Sequence, residues 1–403
     1  MEPRERRKLM VLGAGATQIS TIEKAIDMGI EVIAVDKDKD AMGFRIIPNE
    51  ANRVNISIKD TDAVLAVAKD RQIDGVIAPQ ADAGLRTMGR INTSMGLRGP
   101  DHTTVICATN KKVFNSLVED SNAVIKGTIN VPEIFEDFDE YLFPLIVKPV
   151  NGVGSRGVYR VDSFYQKPHP NTLLEQARKH SGSAIIQRYI PGTVFEVDLI
   201  VQGGEIIVYT IFDEVESDNN FGACMFIHPS SYIRKGAGVD IHNAVLEVIK
   251  LLGIRDGSIS IEGIVYRDKV YIIDVNPRMA GAHLPDIHSQ YSNVDWIEYS
   301  ILVSLGIPVP PVSRYISQPY GVYLGGVDKE GVIKDIVLGD SFFKSKIDSI
   351  WFWKHAGDYV YPSNGQETSS DQVVYVFSAG LGNTKLAANM LRDESRHIHV
   401  EVE

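Results

Sequence analysis

The chain has 403 residues, 44% of them hydrophobic and 23% charged, and carries a net charge of −11. That length buries a sizeable core in roughly two to four domains. The acidic balance argues against nucleic acid or an anionic membrane as the main partner, and no apolar run approaches the roughly 20 residues that cross a bilayer. The charged start, Met1-Glu-Pro-Arg-Glu-Arg-Arg-Lys8, lacks the apolar segment and cleavage site of a secretory leader. Its two cysteines, Cys107 and Cys224, lie far apart. The expectation is a cytoplasmic protein with two free thiols.

Residues 8 to 105 alternate strand-like and helix-like patterns. Lys8-Leu-Met-Val-Leu12 reads as a buried strand, followed by the turn Gly13-Ala-Gly15-Ala-Thr17. A helix with Ile19, Ile22, Ala25 and Ile26 on one stripe closes at Gly29. Glu31 to Val35 is a second strand ending at Asp36, Thr61 is the expected N-cap of a helix carrying Val64, Val67 and Ala68, and Gly75 to Ala78 is a further short strand. Such alternation predicts a small doubly wound parallel sheet. Gly13 and Gly15 followed by Asp36 invite a dinucleotide reading, but Gln18 stands where the third glycine of that fingerprint belongs. A tight turn with no bound dinucleotide is the favoured reading.

Asn110-Lys111-Lys112 opens a helix whose apolar side is expected to hold Val113, Phe114 and Leu117. Pro144-Leu-Ile-Val-Lys148-Pro149 is a strand with a lysine near its end, and charge in such a run needs a partner. Next comes Asn151-Gly152-Val-Gly154-Ser155-Arg156-Gly157-Val158, a loop whose N–H groups can fold over an anion, although no Walker A sequence occurs. Ala184 to Gly192 is a strand running into a turn. Phe195 to Val201 and Glu205 to Tyr209 form a hairpin around Gly203-Gly204. The polar stretch from Asp213 to Ser231 is expected to be a mobile loop. A helix with Ile241, Val245, Val248, Ile249 and Leu252 on one face stops at Gly253.

The stretch from Ser258 to Gly281 is a hairpin signal: two Ile/Val-rich runs around Arg267, Asp268 and Lys269. Asp274 and Asn276 share a face because side chains alternate along a strand. A three-residue loop places Glu262 opposite Asp274. A two-residue turn at Arg267-Asp268 pairs Glu262 with Ile273 and sends the acids to opposite faces. In the first register three oxygen-bearing side chains meet, with Arg278 just beyond. Carboxylates at close range repel unless something positive joins them, and oxygen-only ligands suit Mg²⁺ with phosphates and waters. A magnesium–nucleotide site and a merely solvated hairpin face both stand on this stretch alone. Val294 to Leu305 reads as an amphipathic helix, and Pro308, Pro310 and Pro311 mark a boundary. Residues 320 to 403 read as mostly β with one helix around Lys385 to Arg392. His397 and His399 are expected at the surface rather than in a metal site.

In this order the pieces resemble the ATP-grasp superfamily of carboxylate–amine ligases, in its L-amino-acid ligase or carbamoyl-phosphate-synthase-like branch. The resemblance covers residues 8 to about 315 and rests on six weak motifs in family order. It implies α/β and α+β architecture: a Rossmann-like pre-ATP-grasp domain (1–108), a two-lobed ATP-grasp domain (109–315, lid lobe about 113–190) and a small β-rich C-terminal domain (316–403). It implies that Lys111 and Lys148 hold the α- and β-phosphates of ATP and that Gly152, Gly154, Ser155, Arg156 and Gly157 form the lid over them. Gln187, Arg188, Tyr189 and Ile190 match the hinge that reads adenine. Glu262, Asp274 and Asn276 match the ligands of two Mg²⁺ ions, for which Mn²⁺ can substitute. Arg278, with Lys148, matches the catalytic group that neutralises the transferred phosphoryl. Phosphoryl transfer relies on such positioning and charge neutralisation.

The sequence departs from the family at three places. Gln187 stands where glutamate is frequent, Asp274 replaces a more frequent Glu, and Val194 falls where a ribose-holding glutamate is usual, with Glu196 or Asp198 as substitutes. The implied reaction activates a carboxylate as an acyl phosphate with release of ADP and then joins it to an amine. The partners are small-molecule carboxylate and amine substrates, with no nucleic acid or membrane; homodimers are common among such enzymes. Met279-Ala-Gly281-Ala282-His283-Leu284 resembles a substrate-facing loop, in which His283 either contacts the acceptor or only packs. The alternative within the fold is a formate- or bicarbonate-activating enzyme of the purine or carbamoyl-phosphate type. A nicotinamide dehydrogenase is disfavoured by Gln18. A regulatory binder with decayed catalysis is disfavoured by the retained lysines, acids and Arg278.

Overall fold

A computed structural model describes all residues except 1–5, 120, 122–128, 131–142, 153, 217–222, 233–237, 311, 340–341, 343–344, 363–368 and 383. The N-terminal strands β1 (Lys8–Leu12), β2 (Glu31–Asp36), β3 (Arg53–Asn55) and β4 (Gly75–Ile77) form a parallel sheet in the order β3-β2-β1-β4. From Leu9 to Leu12 β1 is apolar because both its faces are covered: Leu9 and Val11 join one core cluster, Met10 and Leu12 the other. The helix Ile19–Asp27 and the helix Thr61–Arg71 belong to this alternation. The N-cap of the second is Asp60, whose side chain accepts from the Ala63 N–H, not Thr61. The Thr61 hydroxyl instead lies 2.9 Å from that of Thr87.

A second, antiparallel sheet has the order β5-β8-β6-β7, from β5 (Ile129–Asn130), β6 (Leu145–Pro149), β7 (Tyr159–Val161) and β8 (Ala184–Arg188). The helix Pro170–Ser181 buries Leu173, Leu174 and Ala177 in the cluster that includes Leu145 and Val147 of β6.

The remaining strands are β9 (Thr193–Gln202), β10 (Glu205–Glu216), β11 (Ala223–His228), β12 (Gly257–Tyr266), β13 (Lys269–Asn276), β14 (Tyr320–Gly325), β15 (Gly331–Leu338), β16 (Ser349–Phe352), β17 (Tyr359–Val360), β18 (Tyr375–Gly380) and β19 (Ile398–Val402). Eight of them make one sheet in the order β13-β12-β9-β10-β11-β14-β18-β16, and β17-β15-β19 form a separate three-stranded sheet. The large sheet runs across the Pro-rich stretch near residue 310, so the C-terminal strands β14, β18 and β16 continue it. The stretch expected as a loop from Asp213 to Ser231 is largely strand: β10 runs on to Glu216 and β11 pairs with both β10 and β14. β10 ends in Asp213, Glu214 and Glu216 around Val215 while β11 carries Met225, Phe226 and Ile227, and β pairing overrides the loop-like composition of the stretch. Asp218 to Gly222 lie outside the described residues. On the helix Lys111–Leu117 only Phe114 of the expected apolar set is buried; Val113 and Leu117 are exposed.

The hairpin β12–β13 resolves the register in a way that neither simple alternative anticipates. The turn is two residues long, with Arg267 and Asp268 both at positive φ (49° and 59°) and Tyr266 paired with Lys269. Pairing continues to Gly263 opposite Ile272, then shifts, so that Glu262 faces Asp274. Ile273 is the extra residue of a β-bulge, and the bulge restores the acids to one face. Gly263, beside the bulge, pairs with Phe195 of β9, and a Cβ built on it lies 2.3 Å from the fully buried Phe195 ring. Gly263→Ala is therefore expected to destabilise the protein by about 1–3 kcal/mol through overpacking. Chemical denaturation checks this, and an unchanged midpoint would contradict so tight an approach.

Candidate active site

Three acids stand in one line across adjacent strands. Glu196 on β9 pairs with Glu262 on β12, which pairs with Asp274 on β13. Directly opposed side chains lie about 5 Å apart at Cβ, where like charges destabilise a sheet. Burial, then the nearby Asp274 and Glu196 charges, push Glu262 up to about 8. Burial and Asp198 do the same to Glu196, also to about 8, against the Ser260 hydroxyl that donates to it. Without a cation Glu262 and Glu196 hold protons at neutral pH, and a bound cation would replace those protons.

Basic groups come from three directions. Lys111, at the first turn of its helix, places Nζ 3.0 Å from Asp274 Oδ1, and its backbone N–H donates to the Val150 carbonyl. Lys148 on β6 is buried and lowered to about 8, first by burial and then by the Lys111 charge. The Arg278 guanidinium donates through Nε and Nη2 to the two oxygens of Asp82, at 2.8 and 3.0 Å. All of these face one cavity of about 550 Å³, a size suited to a cofactor or drug-sized ligand. Its walls include Gly152, Gly154, Ser155 and Arg156 of the glycine-rich loop, and Gln187, Arg188, Tyr189 and Ile190 beyond β8. Gly154, Ser155 and Gly157 take positive φ, a conformation that glycine adopts without strain and that Ser155 adopts beside it. Gln187 donates to the Asn115 side chain, and the Tyr189 N–H donates to the Pro144 carbonyl.

Of the residues singled out from the sequence, Lys111, Lys148, Gly152, Gly154, Ser155, Arg156, Gln187, Arg188, Tyr189, Ile190, Glu196, Glu262, Asp274 and Arg278 line this cavity. Gly157 and Asn276 do not; Asn276 pairs with Ser260 at the end of β13. Val194 lines the cavity, but the substitute Asp198 lies beneath it. Asp198 Oδ2 is 2.6 Å from His288 Nε2, and His288 Nδ1 is 2.6 Å from the Tyr320 hydroxyl. Sequence reasoning missed Glu214 and Glu216, which line the cavity from β10 because their segment reads as a loop. It also missed Asp82, Thr17 and Gln80 of the N-terminal domain, and Trp353. His283 is buried and stacks on Trp351 at 4.7 Å, yet neither ring nitrogen has a hydrogen-bond partner.

The turn from Gly13 to Thr17 is filled from within. Gln18 Oε1 accepts the Gly15 N–H, and Asp36 accepts the Ala14 N–H, so the donors an incoming phosphate needs are taken. No group of three His, Cys, Asp or Glu side chains closes around one point among the described residues. His399 is exposed, and both cysteines are free thiols. No helix among the described residues is long and apolar enough to cross a membrane.

Residues 141–286, which include the acid line, the buried lysine and the arginine, match the ATP-grasp domain model. The chain carries an ATP-grasp domain. It is 27% identical over 294 residues to an ATP-grasp enzyme of Aspergillus fumigatus (fsqD), covering 63% of this chain and 49% of that protein. It is 23% identical over 337 residues to the carbamoyl phosphate synthase large chain of Clostridium botulinum, covering 76% of this chain and 30% of that protein. The chain thus spans half or less of the length of these relatives. In fold it matches the L-amino acid ligase of Bacillus licheniformis over the full length of both chains, with a TM-score of 0.79 at 17% identity. The parallel sheet β1–β4 precedes the matched residues and the strands β14–β19 follow them.

The acids beneath the ATP-grasp cavity make stability pH-dependent. Burial lowers His288 to about 3 and raises Asp198 to about 8, so the folded pair keeps one proton up to about pH 8. In the unfolded chain Asp198 is ionised and His288 loses its proton above about 6.5. The folded state thus binds one more proton between these limits, and stability falls as pH rises from about 6.5 to about 8, by about 1.4 kcal/mol per unit at most. That limit is for the Asp198–His288 pair alone; Glu196 and Glu262, raised from 4.5 to about 8, act in the same direction from about pH 4.5 upward and add to the slope. Calorimetry of the nucleotide-free protein should show Tm dropping between about pH 6.5 and 8.5, less steeply in Asp198→Asn. A flat profile in the parent would mean that these acids are ionised.

Proposed function

We propose that the protein is an ATP- and Mg²⁺-dependent carboxylate–amine ligase that releases ADP. The observation that carries the reading is the cross-strand line Glu196, Glu262 and Asp274 facing Lys111, Lys148 and Arg278 in one cavity beneath a glycine-rich loop. Acids so placed favour a divalent cation, and a cation held by them would be free to bridge a polyphosphate. No three-ligand cage is preformed among the described residues, which fits a magnesium that takes its remaining ligands from phosphates and water.

In this reading Glu262 and Asp274 hold magnesium, which neutralises charge on the phosphates. Asn276, pointing from the same strand, is a reserve ligand. Lys111 exchanges Asp274 for a phosphate oxygen, and Lys148 sits on the neighbouring phosphate. Gly152, Gly154, Ser155, Arg156 and Gly157 cover the phosphates, and residues 187–190 read the adenine. Glu196 turns to the nucleotide or to a second magnesium, and Glu214 and Glu216 supply carboxylates beside Val194 for the ribose. Arg278 stabilises the phosphoryl group as it passes to a substrate carboxylate. The acyl phosphate then meets an amine in the part of the cavity lined by Thr17, Gln80 and Trp353, where an amino-acid-like substrate fits the mixed polar and aromatic wall. In the expected division of the chain at about residues 108 and 315, Thr17 and Gln80 of this region come from the first domain and Trp353 from the third.

The test is release of ADP and phosphate from Mg·ATP against a matrix of amino acids and small carboxylic acids. Turnover with one carboxylate–amine pair is expected. Glu262→Gln should reduce it by a factor of 10² or more, as should chelation of Mg²⁺. The similarity to carbamoyl phosphate synthase gives the runner-up, and turnover with bicarbonate or formate in place of an amino acid would select it. Formation of AMP and pyrophosphate, or activity untouched by Glu262→Gln, would overturn the assignment.

A further inference from the structure

The N-terminal domain grips the segment that follows the metal-side strand at two points. Gln80, itself at positive φ (55°), accepts the His283 backbone N–H through Oε1 at 3.0 Å, while its Nε2 donates to the Thr17 carbonyl. Asp82, opening the turn Asp82–Gly84 that leads into the helix Leu85–Met95, takes the Arg278 guanidinium in a two-oxygen fork. Both partners of the fork are largely buried, with side chains 10% and 16% exposed. The third restraint on Arg278 is Nη1, which donates to the Met279 carbonyl at 3.0 Å.

We propose that Asp82 is a positioning residue for phosphoryl transfer, holding Arg278 so that its remaining N–H bonds point at the transferred group. This rests on the ligase reading above. A guanidinium has five N–H donors, and the fork plus Met279 use three, leaving two for an anion. A planar cation on a flexible stem otherwise loses side-chain freedom when the phosphoryl arrives; a bidentate partner removes that freedom beforehand. The fork also decides what kind of help Arg278 gives. Its charge is already matched by Asp82, so it acts through directed hydrogen bonds, while net neutralisation falls to the lysines and the divalent cations. Because Asp82 and Gln80 come from the first domain, the geometry of the phosphoryl site depends on how that domain is docked.

The experiment needs no knowledge of the substrates. Affinity of the full chain for Mg·ADP is measured with and without aluminium fluoride, an anionic mimic of the phosphoryl in flight. Aluminium fluoride should tighten Mg·ADP in the parent. In Asp82→Asn, which keeps the shape, Mg·ADP alone should bind within about twofold of the parent, while the aluminium-fluoride gain falls about tenfold or more, as for loss of a charge-assisted hydrogen bond. Asp82→Glu should recover part of the gain. In an Arg278→Met background the same change at Asp82 should cost nothing further. Full tightening retained in Asp82→Asn would overturn the proposal and leave the ligase reading standing. So would an equal loss in Mg·ADP affinity and in the aluminium-fluoride complex, the mark of a purely structural contact. A parent chain that does not bind Mg·ADP would overturn the ligase reading and this proposal with it.

Discussion

Like charge set across a sheet is the constraint on which the rest of the site depends. Glu196, Glu262 and Asp274 occupy one line over three strands, at a spacing where ionised carboxylates repel. A sheet can tolerate this only by protonating the acids, by pairing them, or by admitting cations. The structure uses the first two: Glu262 and Glu196 are pushed up to about 8, and Lys111 reaches across to Asp274. Such a site is under electrostatic tension that a bound cation would relieve.

Pairing of opposite charge around that line also ties distant parts of the chain together. Lys111 comes from the helix Lys111–Leu117, Lys148 from the smaller antiparallel sheet, Arg278 from beyond the β12–β13 hairpin, and Asp82 from the turn that follows β4. The contacts Lys111–Asp274 and Arg278–Asp82 span 163 and 196 residues of sequence. Buried pairs of this kind contribute little net stability, because desolvation offsets attraction. Their effect is on geometry: they fix where four separate segments meet.

Much of this was legible in one dimension because it depends on short-range rules. Parallel α/β alternation at the start, the lysine inside the apolar strand Leu145–Pro149, the glycine-rich loop and the acids of the hairpin all show in composition and spacing. Failures occur where long-range pairing overrides local preference. The polar stretch after Asp213 becomes strand because β11 is held between β10 and β14. Val113 and Leu117 lie exposed although they share a helix with Phe114, since only one side of that short helix meets the core. Asp198, equal to Glu196 as a candidate by alternation, is taken instead by His288, a residue 90 positions away.

By itself, the sequence determined the inventory of the site: which strands carry acids, which carry lysines, and that Arg278 follows two residues after Asn276. Period-two alternation and turn chemistry are local, so they can be read without a fold. Only the tertiary structure decided which acids face each other, because a bulge at Ile273 undoes the register that the two-residue turn would impose. It alone also brought Asp82 to Arg278, since a contact spanning 196 residues leaves no periodic trace in the chain.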